Sequence, residues 1–258
     1  MNDDLGHPCE LSRPARRVVS LVPSLTESIA LTRPDTLVGA TDWCTHPADL
    51  DVVRVRGTKN PDRKAIAALK PDLVLANREE NRELDIRKLR EAGIPVWVTV
   101  IETVEEACAS LRRLFAEALQ WPVPQWLDEV ERIWLGPVPP IQARVAIPIW
   151  RDPWMVVGPR TFTGDLARRL GLDNAFGGTP PGSGQDRYPH VELSDIDCPD
   201  VDLVLLPDEP YIFGADDGPE AFTNAKTMLV SGRSLTWYGP SLVDAHTELD
   251  AQIGEHLG

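Results

Sequence analysis

Nowhere in its 258 residues does the chain hold the eighteen or so consecutive apolar side chains that a membrane-spanning helix needs. The first residues, MNDDLGHPCELSRPARR, also lack the apolar run and small-residue cleavage pattern of a secretory leader. A cytoplasmic location is therefore expected, with a periplasmic or lipid-anchored form only for a chain made with a separate leader. Basic charge is scarce: 26 Lys and Arg stand against 40 Asp and Glu, a net charge of -14. Polyanions and anionic membrane surfaces are repelled at long range, so neither nucleic acid nor membrane insertion is expected. Cysteine is scarce too. Cys9, Cys44, Cys108 and Cys198 are widely spaced without a CxxC, and read as four free thiols, with Cys108 on a core-facing helix.

The sequence also lacks a GxSxG elbow, a GxxxxGK[ST] phosphate loop, GxGxxG and HExxH. No nucleophile stands at a suggestive spacing from a base, so no catalytic residue, enzymatic activity or required cofactor is expected. The adjacent acids Glu79 and Glu80, and Asp208 and Glu209, read as solvated loop residues rather than acid/base pairs.

What is present is alternation. RVVSLVPSLTESIALT reads as strand, turn and helix, with Ser24 and Glu27 placed as a capping box. LVGATDW follows as a strand, DRKAIAALK as a helix, PDLVLAN as a buried strand, ENRELDIRKLREAG as a helix ending at Gly93, and IPVWVTV as another strand. TVEEACASLRRLFAEALQW and QWLDEVERIWL are helical runs separated at WPVP, and GPVPPIQ reads as their exit. The alternation then returns: strand RVAIPIW, helix FTGDLARRLG, loop GGTPPGSGQDRYP, short helix VELSDID, strand VDLVLLPDEP, the SLTWYG stretch and a closing helix. KPDLVLAN and CPDVDLVLLPD echo one another. The pattern implies an N-terminal extension over 1–16, an α/β lobe over 17–101, a connecting helical segment and linker over 102–140, and a second α/β lobe over 141–258, each lobe a parallel sheet covered by helices.

Ligands of such sheets bind beyond the carboxyl ends of the strands. Of the seven loops there, five carry Trp, Tyr or His, although aromatics are only 6% of the chain. Trp97 reads as sheet core, and Trp121, Trp126 and Trp134 as packing along the connecting helices. Trp43, Trp150, Trp154 and Trp237 lie at strand ends or in loops, and at least two of them are expected to face a ligand, which favours a large, flat or partly apolar molecule. Cys44, His46 and His190 form a possible metal set across a cleft, with His46 or His190 alternatively an axial ligand to a chelated metal.

The motifs RVVSLVPSLTE, VGATDW with its following HP, AIAALKPDLVLA, LREAGIPVWV, RVAIPIWRDPWMVVG, DLARRLGLDNAF, RYPHVELSDI, LVLLPDEPYIF and SLTWYG, in this order, resemble the helical-backbone metal-receptor family. These are the class III periplasmic substrate-binding proteins of ABC importers, and the likeness is greatest to their cobalamin-binding members. It runs from Arg17 to Tyr238. The resemblance implies two Rossmann-like α/β lobes joined by a single long backbone helix, with a ligand cleft between the lobes. Ligands known in the family are cobalamin, haem, ferric siderophores and, more distantly, bare metal ions.

By position, the resemblance makes Trp43 and Tyr188 ligand-facing aromatics and sets WRDPWM in an aromatic-bearing loop, while Thr58 replaces a ligand-stacking Trp. Lys64 and Ser194 fall where importer proteins carry the acids that dock on a permease; a shift of one residue brings in Asp62 or Asp195. The expected function is thus non-enzymatic binding of a metal chelate, cobalamin or another corrinoid before haem or a siderophore. Trp43, Trp150, Trp154, Tyr188, Tyr211 and Trp237 would line the site, and Arg151, Arg187 and Glu209 would bond polar substituents. The rivals are an enzyme or accessory of corrinoid metabolism built on the same fold, and a relative that recognises a partner protein.

Overall fold

In the computed structural model, which describes residues 1–177 and 187–257, the valine- and leucine-rich runs become short parallel strands buried on both faces. The loop GGTPPGSGQDRYP lies mostly outside the described residues. The chain divides into two units: 1–101, 105–131 and 238–240 in the first, 102–104, 132–237 and 241–258 in the second.

The first unit contains β1 (Val18–Ser20), α1 (Pro23–Thr32), β2 (Leu37–Ala40), β3 (Val53–Arg54), α2 (Arg63–Ala68), β4 (Leu73–Asn77), α3 (Glu83–Glu91) and β5 (Val96–Thr99). Its parallel sheet runs β3-β2-β1-β4-β5. Strand alternation divides the side chains between two covered faces. Val19, Val74, Val96 and Val98 pack with Ile66, Ile86 and Leu89 in one core cluster. Trp97, in register with Leu75, is fully buried as core, with the Arg113 guanidinium 5.3 Å from its ring centroid.

Two helix ends need glycine. Gly93 after α3 and Gly171 in the second unit take φ of +75° and +77°, the left-handed conformation that closes a helix and is costly for other residues. The start of α1 differs from the expected capping box. Pro23, with φ already fixed, opens the helix. Ser24 therefore sits inside the first turn, and its hydroxyl accepts from the Tyr238 backbone N–H at 3.3 Å.

Residues 1–16 are bonded into this unit. Asp3 is buried and accepts from the N–H groups of Leu5 and His7 and from Arg90, while the Trp121 indole donates to the Ala15 carbonyl at 3.0 Å. The helical segment comprises α4 (Val104–Arg113), a π-helical turn over Leu114–Ala118, and α5 (Gln125–Trp134). It breaks at WPVP, where Gln120 takes φ of 56° and two prolines block continuation.

The second unit holds β6 (Ala143–Ala146), β7 (Pro148–Trp150), β8 (Met155–Val156), α6 (Phe162–Arg169), β9 (Leu172–Asn174), α7 (Leu193–Ile196), β10 (Leu203–Pro207), β11 (Lys226–Val230), α8 (Gly232–Thr236) and α9 (Leu242–Leu257). Its parallel sheet runs β11-β10-β6-β9, and β7 and β8 form a separate antiparallel hairpin. No described helix is long and apolar enough to cross a membrane.

Asp197 ties the segment after α7 to the approach to β11, accepting from the backbone N–H groups of Thr223, Asn224 and Ala225. Burial acts to raise its pKa, but these donors outweigh burial and hold the carboxyl well below its usual range. A depressed pKa contributes stability that is complete above the unfolded value and declines as pH falls toward the folded one. Asp197→Asn is therefore expected to cost about 1–2 kcal/mol at pH 7 in urea unfolding, and the difference from wild type should shrink progressively below about pH 4.

Candidate functional site

Each sheet has a point where the chain turns from one side of its first strand to the other: between β1 and β4 in the first unit, and between β6 and β10 in the second. Crevices beyond the carboxyl ends at such points are the standing ligand sites of open parallel sheets.

In the first unit, the loop after β2 carries Trp43. Its neighbour Cys44 is fully buried, with Thr26 donating to the sulfur at 3.0 Å and Thr41 at 3.1 Å from it. Burial raises the Cys44 thiol pKa, so it remains protonated. Arg54 holds the same loop by donating to the carbonyls of Thr41 and Cys44 at 2.9 and 2.8 Å. With Cys44 turned inward, Trp43 is left 65% exposed. Gly57 lies against it: a Cβ there would meet Trp43 Nε1 at 3.3 Å and Asn60 Oδ1 at 2.6 Å. His46 is half-buried, with Nδ1 3.1 Å from Thr45 Oγ1. Cys44 is thus a loop anchor and not an available metal ligand.

The loop after β4 is rigidly held. Asn81 accepts from Asn77 N–H at 2.9 Å and donates to the Thr58 carbonyl at 2.9 Å, while Asn77 accepts from Glu79 N–H at 2.8 Å. The carboxyl of Glu80 accepts from the Tyr238 hydroxyl at 3.1 Å. Burial, then the Glu80 charge, raises the Tyr238 pKa well above its usual value, so it stays a neutral phenol. No local sequence signal joins this pair, because Tyr238 and Glu80 are 158 residues apart.

In the second unit, the β7–β8 hairpin presents Trp150 and Trp154 on opposite sides of its turn. Trp150 is 47% exposed and meets the Tyr211 ring edge-on at 5.5 Å. Trp154 is only 8% exposed, stacked parallel on Phe213 at 6.0 Å and edge-on to Phe222 at 5.6 Å. Trp154 thus packs with the core of this unit. Trp237 is core as well, at 5% exposure, and its indole donates to Glu209. Burial raises the Glu209 pKa, and that bond opposes the rise. Glu209 and Trp237 thus satisfy one another.

The two arginines expected to bond ligand substituents are held by carboxylates instead. Arg151 bonds Asp217 and lies 2.7 Å from Glu220 and 3.7 Å from Asp152, with its guanidinium 5.3 Å from the centroid of Trp154. Arg187 pairs with Glu102 at 2.6 Å. Asp217 also accepts from the Tyr211 hydroxyl at 2.8 Å. Tyr188 and His190 are exposed, and the His190 backbone bridges to Met155. Among the described residues, no three His, Cys, Asp or Glu side chains are grouped to hold a metal ion.

No family model matches the sequence. The vitamin B12-binding protein of Pectobacterium atrosepticum is 33% identical over 93% of this chain and 89% of its own length. This chain belongs to the class III periplasmic binding protein family. The periplasmic vitamin B12 binding protein BtuF of Vibrio cholerae matches the structure with a TM-score of 0.71 at 18% identity, over 94% of this chain and 98% of that one. The periplasmic heme-binding protein RhuT of Roseiflexus sp. RS-1 matches with a TM-score of 0.73 at 20% identity, over 95% and 100%. These relatives are binding proteins and not enzymes, which removes the enzymatic rival.

Lys64 in α2 and Ser194 in α7 are exposed. The neighbouring acids are used locally: Asp62 caps α2 by accepting from the N–H groups of Lys64 and Ala65, and Asp195 forms a capping box with Glu192.

The four tryptophans should separate in stability. Trp154→Ala and Trp237→Ala are expected to cost about 3–5 kcal/mol by chemical denaturation, the cost of emptying a packed aromatic site. Trp43→Ala and Trp150→Ala should cost less than about 1 kcal/mol, as for exposed side chains.

Proposed function

We propose that this chain is a non-enzymatic receptor for a metal chelate, with cobalamin or another corrinoid as its preferred ligand and haem or a ferric siderophore as the alternative. The observation that carries this reading is the exposure of Trp43, fixed above a buried Cys44 and Arg54 at the carboxyl edge of the first sheet. A large indole held rigidly in water serves no packing purpose, and it suits the broad, partly apolar face of a macrocycle. Trp150, braced by Tyr211, supplies a second such surface on the other sheet's edge, with Tyr188 exposed in the loop before α7. The naming of relatives for vitamin B12 and haem supports a chelate ligand. His46 and His190 are the imidazoles proposed to reach a chelated metal axially.

A basic permease socket would meet Lys64 and Ser194 at exposed positions, and the lysine repels it. We therefore infer a receptor that works apart from such a permease. Four free thiols, three of them buried, fit a reducing, cytoplasmic setting.

The test is titration of the purified protein with aquocobalamin, haemin and a ferric siderophore, followed by ligand absorbance and tryptophan quenching. Aquocobalamin should bind most tightly, and Trp43→Ala and Trp150→Ala should each weaken it about tenfold, the equivalent of about 1.4 kcal/mol. Unchanged spectra and fluorescence with all three ligands would rule the reading out.

A further inference from the structure

We propose that this receptor selects a macrocycle whose rim carries neutral amides over one whose rim carries carboxylates, and that the carboxylates gathered around Arg151 enforce the choice. The proposal rests on the chelate-receptor reading. It adds the chemical class of substituent that the ligand presents.

Arg151 is the cation immediately beside Trp150, and an arginine next to an exposed indole is the usual means of binding an acidic substituent. Here its charge is already committed. Asp217 and Glu220 both bond Nη1, and Asp152 lies 3.7 Å from Nε. The Arg151 side chain is only 18% exposed, whereas Asp152, Asp217 and Glu220 are 87%, 50% and 49% exposed. Water, or a ligand lying on Trp150, therefore meets the carboxylates rather than the guanidinium. The bond from Arg151 holds the Glu220 carboxyl below its usual range, so it is ionised at neutral pH.

One guanidinium against three carboxylates leaves net negative charge on a cluster tied to Trp150 through Tyr211. Tyr211, the ring that braces Trp150, donates its hydroxyl to Asp217 and does not offer that proton to a ligand. Arg187, a further arginine in the ligand-side loops of this unit, is paired with Glu102.

The ligand-side edge of the first unit mixes carboxylates with the cations Arg56, Lys59, Arg78 and Arg82. Glu79 and Glu80 follow β4, and Asp42 precedes the exposed Trp43. The Lys59 ammonium donates to the Glu79 backbone carbonyl. Ionised carboxylates only accept hydrogen bonds, and a primary amide has N–H groups to give them. A ligand carboxylate has none and is repelled, in a chain already at -14.

The probes are a corrin heptaamide and the same corrin with its amides hydrolysed to carboxylates, with haemin and haemin dimethyl ester as a second matched pair. Wild-type protein is expected to bind the heptaamide at least about tenfold more tightly than the heptacarboxylate at low salt, with a gap that narrows as salt screens the charges. The ester should likewise bind better than haemin.

Asp217→Asn with Glu220→Gln should narrow both gaps by about three- to tenfold, chiefly by strengthening the acidic ligand of each pair. Glu80→Gln, which keeps an acceptor for Tyr238, provides an independent arm in the first unit with the same direction of change. Equal affinity for the two corrins, or tighter binding of the carboxylate form, overturns the selection while leaving the chelate receptor intact. Binding of neither corrin and neither porphyrin overturns the receptor reading itself.

Discussion

A parallel sheet covered by helices on both faces has nowhere to place polar chemistry except the ends of its strands, and both sheets of this protein are built under that constraint. β4 and β10 are buried at every position, so any group that meets a ligand must come from the loops that leave them or their neighbours. These loops cannot be floppy and still present a ring in a fixed place. Each exposed aromatic here stands next to a residue driven into the interior. Cys44 is pulled under Trp43 by Thr26 and Thr41, and Trp154 is stacked on Phe213 across the turn from Trp150. Burial of one side chain thereby sets the exposure of the other.

That pairing also explains which parts of the site could be read from the residues and which could not. The strand and helix order, the glycine stops at Gly93 and Gly171 and the core role of Trp97 follow from local period and backbone preference, and those signals are short in range. A tryptophan at a strand end is ambiguous by the same signals. Trp150 and Trp154 share a turn, and only the position of Phe213 and Phe222, which lie far along the chain, sends one of them inside. Trp237 was ambiguous for the same reason, since its partner Glu209 is 28 residues away.

Ser24 illustrates the opposite failure. A good local cap signal was overruled because Pro23 starts the helix two residues early and the serine hydroxyl is claimed by the backbone of Tyr238. The N-terminal residues hold to the first unit without any local pattern that would show it. Their fixing groups, Asp3 and Ala15, act through partners in α3 and beyond the π-helical turn, and nothing within 1–16 announces them.

The carboxylates around Arg151 bear on function more than on stability. An exposed ion pair contributes little to folding, typically well under about 1 kcal/mol, and neutralising one guanidinium requires one acid. Additional acids repel one another and the first, so stability alone gives no reason for three. Their geometry gives a different reason. Glu220 and Asp217 both bind Arg151, and Asp217 fixes the Tyr211 hydroxyl, so the group orients the ring that supports Trp150. The local energetic cost of crowded acids is the kind of inconsistency that proteins retain at sites of recognition. It makes the polar surroundings of Trp150 as selective as its apolar face is permissive.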